Sequence, residues 1–230
     1  MPITLGTLAA HALLPPKLLT GWSQYPTAPA STELLTWQHT VVPGTTMLVM
    51  VIAWVDSSGY ANASNSARFN GVPLTRAVVT PQSSSHSTEI WYLANPPVGT
   101  FTAEAQYAGT LDRFGSAFAA NLAGVSKLGI TGQTAGPSGT SRSTTVIMPN
   151  KGLIVMAGYI SSGNNNIGTI TPVAPAGCTA IGTATNVTSS SGKRASGFVS
   201  PEVPAGSTAC TVNLTAASQS QILSVAGFVP

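Results

Sequence analysis

Three histidines, six carboxylates and two cysteines are the side chains on which this 230-residue chain could base acid–base, metal or nucleophilic chemistry. The histidines are His11, His39 and His86. None has a Cys, Asp, Glu or second His at the i, i+4 or short-loop spacing that assembles a metal site. A Ser-His-Asp triad draws on residues distant in the chain, but the supply of aspartate is Asp56 and Asp112 alone, and there is no G-x-S-x-G elbow or phosphate-binding glycine loop. Glycosidic cleavage needs two carboxyl groups about 5 to 9 Å apart. The candidates are Glu33, Asp56, Glu89, Glu104, Asp112 and Glu202. Glu104 stands on an alternating segment opposite an apolar face, the position of a solvated carboxylate. Glu89 precedes Ile90-Trp91-Tyr92-Leu93 and is placed to pair with Arg76 across strands. Neither arrangement implies catalysis.

The oxygen-rich segment from Asp56 to Asn65 could wrap Ca²⁺, but it offers one carboxylate, and its counterpart Ser161 to Asn166 offers none. Calcium takes six to eight oxygens, preferably several of them carboxylate, so a plain loop is the expectation. Cys178 and Cys210 are open to two readings, a stabilising disulfide or two small buried hydrophobes. Trp37, Trp54, Trp91 and Tyr92 could stack on sugars if exposed; Trp54 lies in an apolar run and reads as core, Trp91 as core or subunit contact. Asn62, Asn186 and Asn213 begin N-x-Ser/Thr triplets, which arise readily in so Ser/Thr-rich a chain. No cofactor or metal is expected.

Only 7% of the residues are charged while 43% are hydrophobic. A chain of that kind can bury a core, and it is the opposite of a disordered one. Its polarity rests on Ser, Thr, Asn and Gln, which are easier to cover than ions. The net charge of +3 comes from nine scattered Lys and Arg, without the basic cluster and interleaved aromatics of a nucleic-acid groove. No apolar run reaches the roughly 20 residues that span a bilayer as a helix, and Ala9 to Leu14, interrupted by Pro15-Pro16, makes a poor secretory signal.

The elements that must position these residues are strands. Leu48 to Val55 and Leu153 to Ile160 are continuous apolar runs bounded by turn residues, which reads as buried strand. Phe101, Ala103, Ala105 and Tyr107 alternate with Thr102, Glu104 and Gln106. The segments also recur. Thr40 to Val55 (TVVPGTTMLVMVIAWV) is echoed about 105 residues later by Thr145 to Ile160 (TVIMPNKGLIVMAGYI), the mark of a duplicated module. Pro96 to Thr100 is echoed by Val203 to Ser207, and Leu122 to Val125 by Val225 to Phe228. In this alignment Trp54 matches Tyr159, and Trp91 has no aromatic counterpart. The expected fold is all-β: two tandem related antiparallel β-sandwich lobes, jelly-roll or Ig-like, with an extended N-terminal arm. The expected boundaries are an arm over residues 1–35 without counterpart in the second half, a first copy over 36–127, a Gly-rich linker over 128–143 and a second copy over 144–230. The arm's Leu13, Leu14, Leu18, Leu19, Trp22 and Tyr25 are candidate contact residues, either on the chain's own first copy or on a neighbouring subunit.

The motif order WQHTVVPGTTMLVMVIAWV, FNGVPLTRAV, STEIWYLANPPVGTFTAEAQYAG and a strand ending LAGV, spanning residues 37–125, resembles a β-sandwich module of phage virion proteins and bacterial surface proteins. That module is recognised by a GG-x-x-LT turn and a WYL-x-x-PP-x-G segment. Asn70-Gly71 replaces the usual Gly pair here, and in the second copy Ala176-Gly177-Cys178-Thr179 stands for the turn. The resemblance implies architecture and no shared catalytic residues. It implies a non-enzymatic virion protein, a capsid decoration or tail accessory component. Its expected partners are the major capsid protein or neighbouring tail and capsid subunits, with its own copies as a homo-oligomer. The competing expectation is a carbohydrate-binding or adhesive module of a tail fibre or cell surface.

Overall fold

The computed structural model describes residues 14–25, 33–55, 64–82, 86–107, 114–137, 139–162, 168–187, 192–214 and 220–230. Among them every regular element is a strand. In chain order these are β1 (Lys17–Leu18), β2 (Ser23–Gln24), β3 (Leu34–Val41), β4 (Met47–Val55), β5 (Ser64–Phe69), β6 (Val72–Pro73), β7 (Thr75–Gln82), β8 (His86–Ala94), β9 (Gly99–Tyr107) and β10 (Phe114–Ala123). There follow β11 (Lys127–Gly136), β12 (Ser141–Met148), β13 (Leu153–Ser162), β14 (Ile170–Ala174), β15 (Thr179–Val187), β16 (Gly192–Val199), β17 (Gly206–Leu214) and β18 (Ser220–Val229).

They form four antiparallel sheets. Sheet A has the order β1-β10-β4-β8-β7, with β2 also on β10; sheet B is β3-β9-β5-β6; sheet C is β11-β18-β13-β16-β15; sheet D is β12-β17-β14. Sheets A and C share one strand order, as do B and D, with β2 and β6 the additional strands of the first half. The first strand of each half lies beside the last, β1 on β10 and β11 on β18, and β3 and β12 start the other sheets.

This equivalence corrects two expectations about the chain's organisation. The N-terminal segment does have a counterpart. Lys17 lies opposite Ala123 on β10, and Lys127 opposite Val229 on β18. The counterpart of β1 lies at the start of the stretch expected as a linker, where residues 128–136 belong to β11 and residues 141–143 to β12. Its glycines serve close packing within a strand. A Cβ at Gly129 would crowd the Val229 and Pro149 side chains, one at Gly132 would press on Val146 and Thr144, and one at Gly136 would overlap the Arg142 guanidinium.

Strand pairing also resets the alignment of the copies. Met47 lies opposite Leu122 and Leu153 opposite Phe228, and Met50 pairs with Trp91 where Met156 pairs with Phe198. Met47 therefore corresponds to Leu153, Leu122 to Phe228, and Trp91 to Phe198, an aromatic after all. Along β4 and β13 the echo of Thr40–Val55 in Thr145–Ile160 is one residue out of step, and a one-residue slip exchanges the two faces of a strand; the echo of Leu122–Val125 in Val225–Phe228 is likewise displaced, since Leu122 corresponds to Phe228. Trp54 indeed faces sheet B while Tyr159 faces the opposite way, toward sheet A. The echo of Pro96–Thr100 in Val203–Ser207 holds. Gly99 and Gly206 both have positive φ, at 135° and 112°, and both open the strand opposite the end of β3 or β12. The bulge in β7 between Arg76 and Val78 recurs in β15 between Ala180 and Gly182.

Three apolar clusters join the layers in the order B, A, C, D. Alternate residues of β4 (Leu48, Met50, Ile52, Trp54) share one cluster with Leu35, Trp37, Phe69 and Ala103 of sheet B. Ile154, Met156 and Ile160 of β13 share another with Val146, Met148, Cys210 and Val212 of sheet D. The other faces of β4 and β13 meet in the middle, where Met47, Val49, Val51, Phe118 and Leu122 lie in one cluster with Leu153, Val155, Tyr159, Ile181, Ile222 and Phe228. Sheets A and C are thus covered on both faces, which is why β4, β10, β13 and β18 are buried along their whole length.

Candidate functional site

The polar side chains inside this stack are gathered in a few clusters. The first surrounds Glu89, which is wholly buried. Glu89 sits on β8, facing sheet B, and its Oε1 accepts the backbone N–H of Ser64 at 2.6 Å and the Ser64 hydroxyl at 3.1 Å. Its Oε2 accepts the Trp91 indole N–H at 2.7 Å and faces Arg76 Nη1 at 4.0 Å. Arg76 also stacks over the Trp91 ring, 5.3 Å from its centroid, and the Trp54 indole N–H donates to Ser64 Oγ at 2.7 Å. Burial pushes the Glu89 carboxyl above the usual carboxylate range, opposed by the Ser64 and Trp91 donors and by Arg76. Both oxygens accept, and among the described residues no second carboxylate is one of its partners. The cluster fastens β5, β7 and β8 together.

The second cluster surrounds His39, and every proton in it has a fixed direction. The Asn121 amide N–H donates to Thr40 O at 2.9 Å, so Asn121 Oδ1 must accept from His39 Nε2 at 3.1 Å. In the neutral imidazole Nδ1 is then the acceptor, and it takes the Ser23 hydroxyl proton at 2.8 Å. Ser23 Oγ in turn accepts the Trp37 indole N–H at 3.0 Å. Ser23, His39 and Asn121 superficially resemble a nucleophilic triad. Here, however, the hydroxyl lies on Nδ1 beneath an indole donor, and His39 is 1% exposed with its edge toward Phe69. Burial holds the imidazole below its ordinary value, opposed by the Asn121 hydrogen bond. What the arrangement does is tie β2 to β3 and β10.

A third cluster crosses between the halves. Ser224 Oγ on β18 is 2.5 Å from Thr80 Oγ1 and 2.6 Å from Thr88 Oγ1, and Thr80 reaches Gln133 Oε1 at 3.3 Å. By the strand pairing, the residues corresponding to Ser224 and Thr88 are Phe118 and Ala195. The Phe118 ring sits where a Cβ at Gly182 would be. One side of the A–C interface is therefore a hydroxyl latch and the other a ring in a glycine pit. Toward the carboxyl ends of β4 and β13 the same interface holds His86, stacked on Tyr159 with centroids 5.4 Å apart, and the buried Ser116, Ser161, Lys193 and Ser220.

Among the candidate contact residues, Leu18 packs on the central cluster and Tyr25 on the A–B cluster, while Leu19 donates its backbone N–H to Asn121 O. Leu14 and Trp22 remain 46% and 48% exposed, and Leu13 lies outside the described residues, as do His11, Asp56 and Asp112. Trp37, Trp54 and Trp91 are buried. Cys178 and Cys210 are free thiols packed in the C–D cluster; burial pushes them up to about 11 and about 12, the second also raised by Cys178. Among the described residues no group of three His, Cys, Asp or Glu could hold a metal ion. Sequence reasoning passed over Ser23, Asn121 and Ser224, and took Ser64 only as part of the Asp56–Asn65 loop, whereas it opens β5. The available signal was a lone polar residue inside an apolar run, as in FGSAFAANLA and SQILSVAGFV. Comparison with family models, curated proteins and solved structures finds no match to this chain.

Proposed function

We propose that the protein is a non-enzymatic structural component of a phage particle, a capsid decoration or cement protein bound to the major capsid protein lattice. The proposal starts from the resemblance carried by residues 37–125. The observation that supports it is the use made of the polar clusters: the described groups of the Glu89 and His39 clusters bind strands to one another, and those around Ser224 bind one half to the other. In this reading each half is a two-sheet sandwich of jelly-roll strand order, the two lobes being packed back to back through sheets A and C. The outward faces of sheets B and D are rich in Ser and Thr, with cross-strand pairs such as Thr40–Thr100 at 2.7 Å and Ser143–Thr211 at 2.8 Å. Apart from Arg68 and Glu104, which lie opposite each other on sheet B, these faces carry little charge, and uncharged groups are easier to cover than ions.

Imaging purified virions and counting this chain by quantitative mass spectrometry tests the proposal. Many copies at regular positions on the head are expected; recovery only as free protein in the infected cell would overturn it. The carbohydrate-binding alternative has one exposed indole left to it among the described residues, Trp22. Quenching of Trp22 fluorescence by host-surface glycans, lost in Trp22→Ala, would favour that reading instead.

A further inference from the structure

At one place the two halves are built differently on the same strand order. Strand pairing makes Ser23 the counterpart of Gly132, because Ser23 lies opposite Ala119 on β10 and Gly132 opposite Val225 on β18. Asn121 likewise corresponds to Gly227. His39 corresponds to Val146, since their strands end with Val41 opposite Gly99 and Met148 opposite Gly206. The contacts agree. Ser23 bonds to His39 and Trp37, and a Cβ at Gly132 would press on Val146 and Thr144. In the second half the site is thus two glycines and a valine, and β11 runs along β18 as one ten-residue strand. In the first half the edge is interrupted. Leu18 and Ser23 are five positions apart, yet they lie opposite Leu122 and Ala119, which are three apart. The titratable cluster stands where the edge strand is broken, and its counterpart under the unbroken strand has no titratable group.

We propose that residues 17–25, carrying β1 and β2, form a strap that protonation of His39 unlatches, freeing β2 from β3 and uncovering the edge of β10. In the neutral state Ser23 gives its hydroxyl proton to His39 Nδ1 and accepts the Trp37 indole N–H. A proton on Nδ1 meets the Ser23 proton head-on, so the hydroxyl must turn round, accept twice and place its own hydrogen elsewhere. The imidazolium, 1% exposed, is also denied the water that a charge needs.

Nothing around the ring offsets that charge. The groups facing it are Ser23 of β2, Trp37 of β3, Phe69 of β5 and Asn121 of β10, none of them charged. Arg68, beside Phe69, turns away to Gly71 O. Hydrating the ring therefore requires a neighbouring strand to move. β3 is paired with β9 along all eight residues and β10 with β4 along nine, whereas β2 has two. The strap is the element that yields. Burial holds the imidazole below its ordinary value, so the open strap binds the proton first, and opening sets in as pH falls below about 6.5. The inference does not depend on where the protein works, so it stands or falls apart from the virion proposal.

Amide hydrogen exchange of the full chain, resolved by residue with NMR and corrected for intrinsic rates, is the test. The Leu19 and Tyr25 N–H groups donate to Asn121 O and Ala117 O and report the strap; the β11 amides report its counterpart in the same molecule. From about pH 7.5 to about pH 5.5, protection of Leu19 and Tyr25 should fall about threefold or more, about tenfold being the limit for one pH unit below the free imidazole value. Protection in β11 should hold. His39→Gln keeps a donor and an acceptor but cannot titrate, so its strap protection should not change with pH. The comparison with β11 needs no variant and decides the matter if His39→Gln folds poorly. Strap protection independent of pH in the parent, an equal fall in β11, or an equal fall in a folded His39→Gln chain would each overturn the proposal.

Discussion

Glu89 shows how far a single buried group is specified by its neighbours. Its oxygens receive donors on both sides, Ser64 N–H on one and Trp91 N–H on the other. An amide in the same place must turn its NH₂ toward one of those donors. Glu89→Gln should therefore destabilise the fold by about 2 to 3 kcal/mol, the cost of a buried unsatisfied donor pair, although it removes a buried charge. Urea denaturation reads this, and an unchanged midpoint would show that the carboxylate does not hold the cluster. His39 makes a prediction in pH. Its folded value lies below the unfolded one, which is about 6.5, so the unfolded chain binds the proton first. The His39 contribution is complete above about pH 6.5 and is lost as pH falls from there through the folded value. The groups facing the ring are Ser23, Trp37, Phe69 and Asn121, none of them charged. His39→Gln retains a donor and an acceptor and cannot titrate. The stability difference between parent and variant should narrow as pH drops from 7 to 5, and a constant difference would count against the protonation argument.

At the scale of the element, close approach decides what the glycines are for. Gly182→Ala would drive a methyl group into the Phe118 ring and should cost about 1 to 3 kcal/mol, as overpacking does, whereas a Cβ at Gly71 meets nothing within 4 Å. The former linker gives a sharper contrast. A Gly-Ser insertion after Thr131 breaks the pairing of β11 with β18 and should lower the melting temperature by about 4 °C or more, while the same insertion after Pro137, past the end of β11, should be tolerated. Equal tolerance at both places would restore the linker. The strand content could be read from the sequence because apolar runs bounded by turn residues are hard to mistake, and Leu48–Val55 and Leu153–Ile160 are close to β4 and β13. The phase of those strands could not. Both are buried on both faces, so no alternation of polar and apolar residues marks which side faces which sheet, and the echo read from the sequence is one residue out of step along them. The arm and linker were hidden for the opposite reason. Their Pro and Gly read as loop, and the shared Lys-Leu at Lys17-Leu18 and Lys127-Leu128, each followed closely by Thr-Gly, is too short to stand out. The Arg76–Glu89 pair was visible as a cross-strand possibility, but its burial depended on Ser64 arriving from another sheet and on Trp54 from the neighbouring strand.

For the whole molecule, the middle layer raises the question of whether the halves are separable. The central cluster draws from both halves, β18 packs on β7 and β8, and β10 on β15 and β16. Each half thus covers an apolar sheet face that the other would leave in water, and the hydrophobic effect makes that exposure strongly unfavourable. The expected consequence is a single cooperative unfolding transition with calorimetric and van't Hoff enthalpies in agreement. Met47 and Leu153 provide the probe, because they are equivalent positions in the two halves, both wholly buried in that cluster. Met47→Ala and Leu153→Ala should each destabilise by about 2 to 5 kcal/mol, and each should shift the one transition without splitting it. If the halves were independent, calorimetry would show two transitions and each substitution would move only its own. A shared core forbids that outcome, since a cavity made from either side weakens the same interface.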